Sequence, residues 1–392
     1  MSIRRSFLTL ALSAAAAAPL LAQQPTGVFV VRLGRDTTAV EKYTRTGNRI
    51  EVDGFFRQPR TTLRHAVIEM ANEKATRVEV TTSAPGAAAN APGTQRITST
   101  FRADSIITEV RRDTVVQTRR VANVAAGATP VLGGASSSWV GLELVALKLK
   151  GCRCDSTAVT MYGGGTATAT FAAKTMMSRD SIWLYDGNDV FHAKVDANGR
   201  IMGAIPMSGT QQFTVERVAN ADINALATAF AARDAQGQNL GLLSPRDTVR
   251  SSVGGASLWV DYSRPALRGR TIYGSNVVPW GAVWRTGANA ATQFRTDKAL
   301  DIGGVTLPAG MYTLWTIPQQ SGGWKLLINS QTGQWGTDHD ATKDLFQLDM
   351  TTSSLPQPVE RFTVAIVPGG QGGTLNFDWQ TTRASIPFTV RN

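Results

Sequence analysis

Reactive side chains are scarce in this sequence. Its 392 residues hold two cysteines and three histidines, and no two of the histidines share a motif. Neither Gly-x-Ser-x-Gly nor His-Glu-x-x-His occurs, and there is no phosphate-cradling glycine loop of the Walker kind. The local signatures of serine hydrolases, zinc proteases and P-loop enzymes are therefore missing, and no cofactor is implied. Acidic residues are also in short supply, with 29 Asp and Glu against 40 Lys and Arg. After residue 22 no stretch of 18 or more apolar residues follows, so no later segment is expected to span a bilayer as a helix.

What the first 22 residues do contain is an export pattern. Arg4 and Arg5 precede an apolar run from Phe7 to Leu21 that ends in small residues near Ala22. That order of charge, apolar core and small residues reads as a signal peptide, residues 1–22. The run Arg4-Arg5-Ser6-Phe7-Leu8 resembles a twin-arginine signal, with a general secretory signal as the alternative. No cysteine stands directly after the expected cleavage point, so a lipid anchor of the bacterial lipoprotein type is not suggested. The expected location is periplasmic or extracellular.

Losing Arg4 and Arg5 lowers the formal charge from +11 to +9. Such a surface favours nucleic acid, anionic head groups or an acidic protein face, and export argues against nucleic acid. Arg111-Arg112 and Arg119-Arg120 lie in alternating segments, where a solvated sheet face is the plainer reading. Cys152 and Cys154 flank Arg153. In an oxidising compartment they form a very small disulfide ring, stay as free thiols, or bond another chain.

The remaining length suits two domains. Residues 23–218 read as an antiparallel meander or half-barrel. Apolar and polar residues alternate in Arg49–Asp53, Thr76–Val80 and Ser105–Val110, the period of half-buried strands. Gly47-Asn48, Asp186-Gly187 and Asn198-Gly199 supply turn chemistry. The last of these joins Val190–Val195 to Arg200–Pro206. Ser83–Gly93 is rich in Ala, Pro and Gly and reads as a mobile surface loop. Within Ser136–Lys150, Trp139, Leu142, Val145 and Leu149 fall at helical spacing. One helix laid on a curved sheet would close this core, although Val140–Leu144 also alternates as a strand does. Residues 219–244 form a helical linker, with Ile223, Leu226 and Phe230 on one side and Gly237 as the stop. Residues 245–392 show seven or so short strands: Leu258–Asp261, Thr292–Thr296, Tyr312–Ile317, Trp324–Ile328, Phe362–Ile366, Leu375–Trp379 and Ser385–Val390. That spacing predicts an antiparallel β-sandwich.

Several segments of this half stand in a specific order: Pro245-Arg246-Asp247, Asp261-Tyr262-Ser263-Arg264-Pro265, Arg268-Gly269-Arg270 and Val283-Trp284-Arg285-Thr286-Gly287-Ala288-Asn289. Leu307-Pro308-Ala309-Gly310-Met311-Tyr312 and Gln334-Trp335-Gly336 follow. Through them Pro245–Val390 resembles the bacterial domain of unknown function 2911 family, a little over a third of the chain. The resemblance implies an exported β-sandwich and no assigned activity. Where such proteins usually carry glutamate after Gly-Ala-Asn, this chain has Ala290, which weakens an enzymatic reading.

The candidate binding residues are Tyr262, Arg264, Arg268, Arg270, Trp284, Arg285 and Asn289. Guanidinium forks bind carboxylates and phosphates and stack on aromatic rings, so the group can hold an anionic or glycan ligand. The plainer reading pairs the arginines with Asp261, Asp297 or Asp301 to tie loops down. Asp338-His339-Asp340 is a weak cation-site candidate. Nine tryptophans, seven after residue 250, add a surface hint, with Trp280, Trp284 and Trp335 near turns and Trp259 and Trp379 inside strand patterns. The expectation is a non-catalytic exported binding or accessory protein of the envelope, docking on a protein partner or larger membrane-bound complex. The alternatives are a hydrolase acting on an anionic or glycan substrate, oriented by Arg264, Arg268 and Arg285, and a small-ligand or lipid carrier with an apolar cavity in the N-terminal sheet.

Overall fold

The computed structural model describes residues 26–88, 91–122, 127–152, 154–163, 166–174, 180–186, 189–208 and 212–391. The expected signal peptide lies outside them, as does Gly187 of the Asp186-Gly187 turn.

The N-terminal sheet is built from β1 (Thr26–Leu33), β2 (Asp36–Thr46), β3 (Arg49–Phe56), β4 (Thr62–Ala71), β5 (Lys74–Ser83), β6 (Gln95–Phe101), β7 (Ser105–Arg112) and β8 (Val115–Ala122). It continues through β9 (Thr129–Pro130), β10 (Ser156–Gly163), β11 (Thr166–Lys174), β12 (Ser181–Tyr185), β13 (Val190–Val195), β14 (Ile201–Pro206) and β15 (Phe213–Val218). Apart from the short parallel β9, the strands are antiparallel meanders. Its order runs β8 to β1 and then β15 back to β9, because β1 pairs with β15, Val28 opposite Val218 and Leu33 opposite Phe213. The Asn198-Gly199 hairpin joins β13 to β14 as its turn chemistry requires, with Gly199 at φ +84°. The sheet curls until its two wings approach. Tyr162 on β10 and Thr108 on β7 share a hydroxyl hydrogen bond of 2.8 Å, yet among the described residues no strand ladder closes the barrel.

Helix α1 (Val140–Cys152) fills the concave side, which settles the helix-or-strand ambiguity of Ser136–Lys150. Val140, Leu142, Leu144, Val145 and Leu149 are all buried, so the helix meets protein on most of its circumference. Gly141 permits this approach: a Cβ there would lie 2.8 Å from the Pro130 carbonyl oxygen. Two buried carboxylates dock the helix. Glu41 of β2 accepts from Ser138 Oγ at 2.9 Å, from the Val140 amide at 2.8 Å and from the Trp139 amide. It thereby satisfies donors that a buried helix start would leave bare. Glu143, on the helix itself, accepts from the Tyr43 hydroxyl at 2.7 Å, the Ile201 amide at 2.8 Å and Arg217. The Arg217 guanidinium also lies 4.7 Å from the centre of the Phe29 ring. Cys152, the last residue of the helix, and Cys154 are bonded to each other, which removes the free-thiol and interchain alternatives.

Helix α2 (Ile223–Ala235) starts at Asp222, whose side chain accepts from the Ala225 amide, and stops at Gly237 with φ +78°. It packs on the outside of the barrel through Ile223, Ala227 and Phe230 against Val28, Val40 and Phe55. Leu226, expected on that face, is exposed at 37%. The inward stripe follows i, i+4, i+7, and the i+3 position falls beside it.

The C-terminal half is a sandwich. Strands β16 (Arg246–Val253), β17 (Ala256–Ser263), β18 (Thr292–Thr296), β21 (Gly310–Ile317), β22 (Lys325–Asn329) and β23 (Asp344–Asp349) form one sheet. Strands β20 (Val305–Leu307), β19 (Leu300–Ile302), β25 (Gly372–Val390) and β24 (Thr351–Gly369) form the other. The expected strands Leu375–Trp379 and Ser385–Val390 are one long strand, turned between them at Gln380 with φ +52°. Strand β16 was not foreseen because Thr248 to Ser252 is almost wholly polar. The two sheets enclose Tyr262, Trp284, Trp324, Phe362, Phe377 and Trp379. Burying each large apolar side chain contributes about 1.5–3 kcal/mol before chain entropy is counted.

Replacing Glu143 with leucine strands Arg217 in the barrel interior, where its side chain is only 10% exposed. We expect a loss of about 3–5 kcal/mol in urea unfolding followed by tryptophan fluorescence, with Arg217→Met in the same chain recovering most of it. An unchanged midpoint in the single variant would refute this account.

Candidate functional site

Because the wings of the curled sheet meet without pairing, a seam remains between β5–β7 on one side and α1, β9 and β10 on the other. The seam holds a cavity of ≈ 480 Å³. Strand alternation supplies its walls: Val78, Val80, Ile97 and Phe101 point inward from β5 and β6, opposite Leu142 and Met161. Its polar groups are largely matched to one another. Ser99 Oγ, Thr108 Oγ1 and the Tyr162 hydroxyl form a chain with both links at 2.8 Å. Ser138 is bonded to Glu41. A second hollow of ≈ 320 Å³, between Met70, Ala75, Leu144 and Lys148, shares Pro130 with the first. The walls offer apolar contact and hydroxyls, the make-up of a small-ligand pocket. Of the cavity residues, Val78 and Val80 lay in a segment read as a half-buried strand and Ser138, Gly141 and Leu142 in the expected helix; their convergence depends on the curl.

At the rim, Asp186 lines the cavity, and the adjacent Asp189 is buried. Burial lifts Asp189 to about 6, and the charge of Asp186 adds to the rise.

The seven residues singled out in the sandwich do not form one pocket. Tyr262 and Trp284 are 2% and 6% exposed and both pack on Phe362, at 5.8 and 5.1 Å between ring centres. Trp284 is therefore a core residue and not a surface aromatic: its backbone pairs with Thr316 of β21, which turns the ring between the sheets. Arg264 ties β24 to β16, donating to Phe362 O at 3.1 Å, Thr363 Oγ1 at 2.8 Å and Asp247 at 3.0 Å. Arg268 reaches Asp36 of the N-terminal sheet at 2.6 Å, and Arg270 donates to the Leu267 and Ala266 carbonyls. Arg285 and Asn289 belong to a separate loop, where Arg285 donates to the Asn289 carbonyl at 3.4 Å and the next residue, Ala290, pairs with Trp335. The acids expected as partners are engaged elsewhere. Asp261 pairs with Arg246, Asp301 with Arg391, and Asp297 accepts the Ser257 amide.

Trp335 and Trp280 are exposed at 53% and 37%, while Trp379 is fully buried and Trp259 intermediate. His65 bonds Asp53, and His192 lies beside the Trp183 ring. His339 turns to Asp344 and the Trp315 ring, while Asp340 caps the short helix that follows and Asp338 bonds Thr337. The three adjacent residues thus point to separate partners. Among the described residues no group of three or more His, Cys, Asp or Glu is placed to hold a metal ion.

Residues 244–388 match the family model described as protein of unknown function DUF2911. The C-terminal portion therefore carries that domain, as its segments indicated. No curated protein matches the chain. Among the solved structures that match, the beta-barrel-like protein of domain of unknown function DUF1849 from Brucella abortus aligns at TM-score 0.33 and 9% identity. The alignment covers 50% of this chain and 96% of that chain, and a likeness of this size carries no argument.

Since the folded chain holds the Asp189 proton more tightly than the unfolded one, this group contributes stability at acid pH that is lost as pH rises through about 6. Asp189→Asn is therefore expected to raise the unfolding free energy by about 1–2 kcal/mol above neutrality, with the gain vanishing near pH 4. Urea titrations across that range would show a pH-independent difference if the assignment is wrong.

Proposed function

We propose that the chain is a non-catalytic binding protein that works outside the cytoplasm and holds a small apolar ligand, such as an acyl chain, in the barrel seam. The observation that carries this reading is the ≈ 480 Å³ cavity lined by Val78, Val80, Ile97, Phe101, Leu142 and Met161. Apolar walls supply affinity through area removed from water, and the hydroxyl chain of Ser99, Thr108 and Tyr162 supplies orientation. The export pattern of residues 1–22 supports the location. The arginines that a hydrolase would need together have separate partners, so that alternative gains no support.

A second reading, an envelope accessory subunit docking on a larger membrane-bound complex, is favoured by β8. This strand ends the sheet with Val115 and Val116 at 58% and 47% exposure, beside Arg119 and Arg120. An unpaired edge of this kind accepts a strand from a partner. Val115→Lys with Val116→Lys should then abolish co-sedimentation with the complex from gently solubilised envelopes. Recovery of the unmodified chain as a lone monomer would count against this reading.

For the leading reading, the uncharged fluorescent probe N-phenyl-1-naphthylamine should bind saturably to the full chain. Ile97→Trp and Val80→Trp, which fill the cavity from half-buried positions, should weaken binding by roughly tenfold while changing stability by less than about 1 kcal/mol. Probe affinity untouched by both substitutions would remove the seam as the site.

A further inference from the structure

A polar cleft of ≈ 470 Å³ opens where the barrel, α2 and the sandwich meet. Five arginines from five segments line it: Arg35 between β1 and β2, Arg57 after β3, Arg233 in the last turn of α2, Arg268 after β17 and Arg361 in β24. Against them stand Asp36 and Glu360 at the lining and Asp234 below it. Arg268 donates to Asp36 at 2.6 Å and to the Leu240 carbonyl at 3.3 Å. Arg35 is 3.8 Å from Glu360, and Arg57 is 4.0 Å from Asp234 while lying 3.9 Å over the Phe230 ring.

These pairings leave positive charge and donors in excess. Arg57 and Arg268 are only 5% and 6% exposed, yet the Nε of each has no hydrogen-bond partner, and neither has Nη1 of Arg361. A buried donor left unmatched costs about 1–3 kcal/mol, and more when the group is charged. Burial pushes the guanidinium groups of Arg57 and Arg361 below their ordinary values, and neighbouring arginines add to the fall. Arg35, 68% exposed, and Arg233, also exposed, carry donors at the rim. Asp234 Oδ1 beside Arg57 is likewise unmatched, so what an anion in this cleft would supply is the missing negative charge, held by the guanidinium edges that face the opening. Guanidinium groups converging from five segments suit a tetrahedral group with oxygens on several sides better than a planar carboxylate, which one fork saturates.

We propose that this interdomain cleft binds a phosphoryl group, presented by a soluble phosphate or by a phospholipid head group. The site is independent of the apolar seam, and nothing in its chemistry requires a bond to be made or broken. Its logic is that of a clamp: Arg35, Arg57 and Arg233 belong to the N-terminal barrel and its helix, and Arg268 and Arg361 to the sandwich.

Isothermal titration of the full chain with inorganic phosphate, against chloride at equal ionic strength, tests this. Flotation with vesicles of phosphatidylcholine alone or mixed with phosphatidic acid distinguishes the two sources. Saturable binding of phosphate alone supports a soluble ligand, and flotation only with phosphatidic acid supports a head group. In either case Arg233→Gln combined with Arg35→Gln, both at the exposed rim, should weaken binding by roughly tenfold with the circular dichroism spectrum unchanged. The proposal is overturned if neither probe binds, if chloride does as well as phosphate, or if the double variant binds as the parent does.

Discussion

The N-terminal half depends on keeping two carboxylates ionically matched in a place where water cannot reach them. Burial pushes Glu41 and Glu143 above the ordinary carboxylate range, and each is opposed by an arginine and by amide or hydroxyl donors. A helix enclosed by a curled sheet needs this arrangement, because the amides at its start would otherwise face apolar side chains. Glu41 satisfies that start, and Glu143 fixes the azimuth of the helix against β2, β14 and β15. The helix in turn props the wings of the sheet apart, and the seam cavity exists because they meet through side chains, such as Tyr162 against Thr108 and Phe101, and not through a strand ladder.

The arginines show how one residue type does different work in one chain. Arg217 neutralises a buried acid, Arg264 fastens one sheet of the sandwich to the other, and Arg268 crosses from the sandwich to the barrel. The exposed pairs at Arg111-Arg112 and Arg119-Arg120 do none of these things, and sit in solvent on the outermost strands. What distinguishes them is desolvation, which a sequence does not display.

This difference also marks what the sequence could disclose. Period-two alternation and the Asn198-Gly199 turn report local backbone preferences, so strands and hairpins were legible, as were α1 from Trp139, Leu142, Val145 and Leu149 and the identity of the C-terminal domain. Strand β16 was not, because Arg246 to Ser252 pairs through its backbone while offering little apolar pattern. Site composition was least legible. Arg268 was identified by residue type, but its companions Arg35, Arg57 and Arg233 lie far away in sequence and reach it only through tertiary packing. The seam cavity was foreseen only as an apolar hollow in the N-terminal sheet, since its walls depend on how far the sheet curls.

The union of β1 with β15 carries a consequence for how the chain comes together. The Thr26 carbonyl accepts from Arg217, 191 residues further on, and β1 is an interior strand of the sheet. Each meander can assemble from neighbouring hairpins, but β1 has an open side until the chain is available as far as Val218. Closing a loop of that span is slow compared with forming hairpins. A chain emerging from one end would therefore carry an unsatisfied, strongly apolar edge for most of the domain's synthesis or transit, a hazard that ends only when β15 arrives to pair with β1.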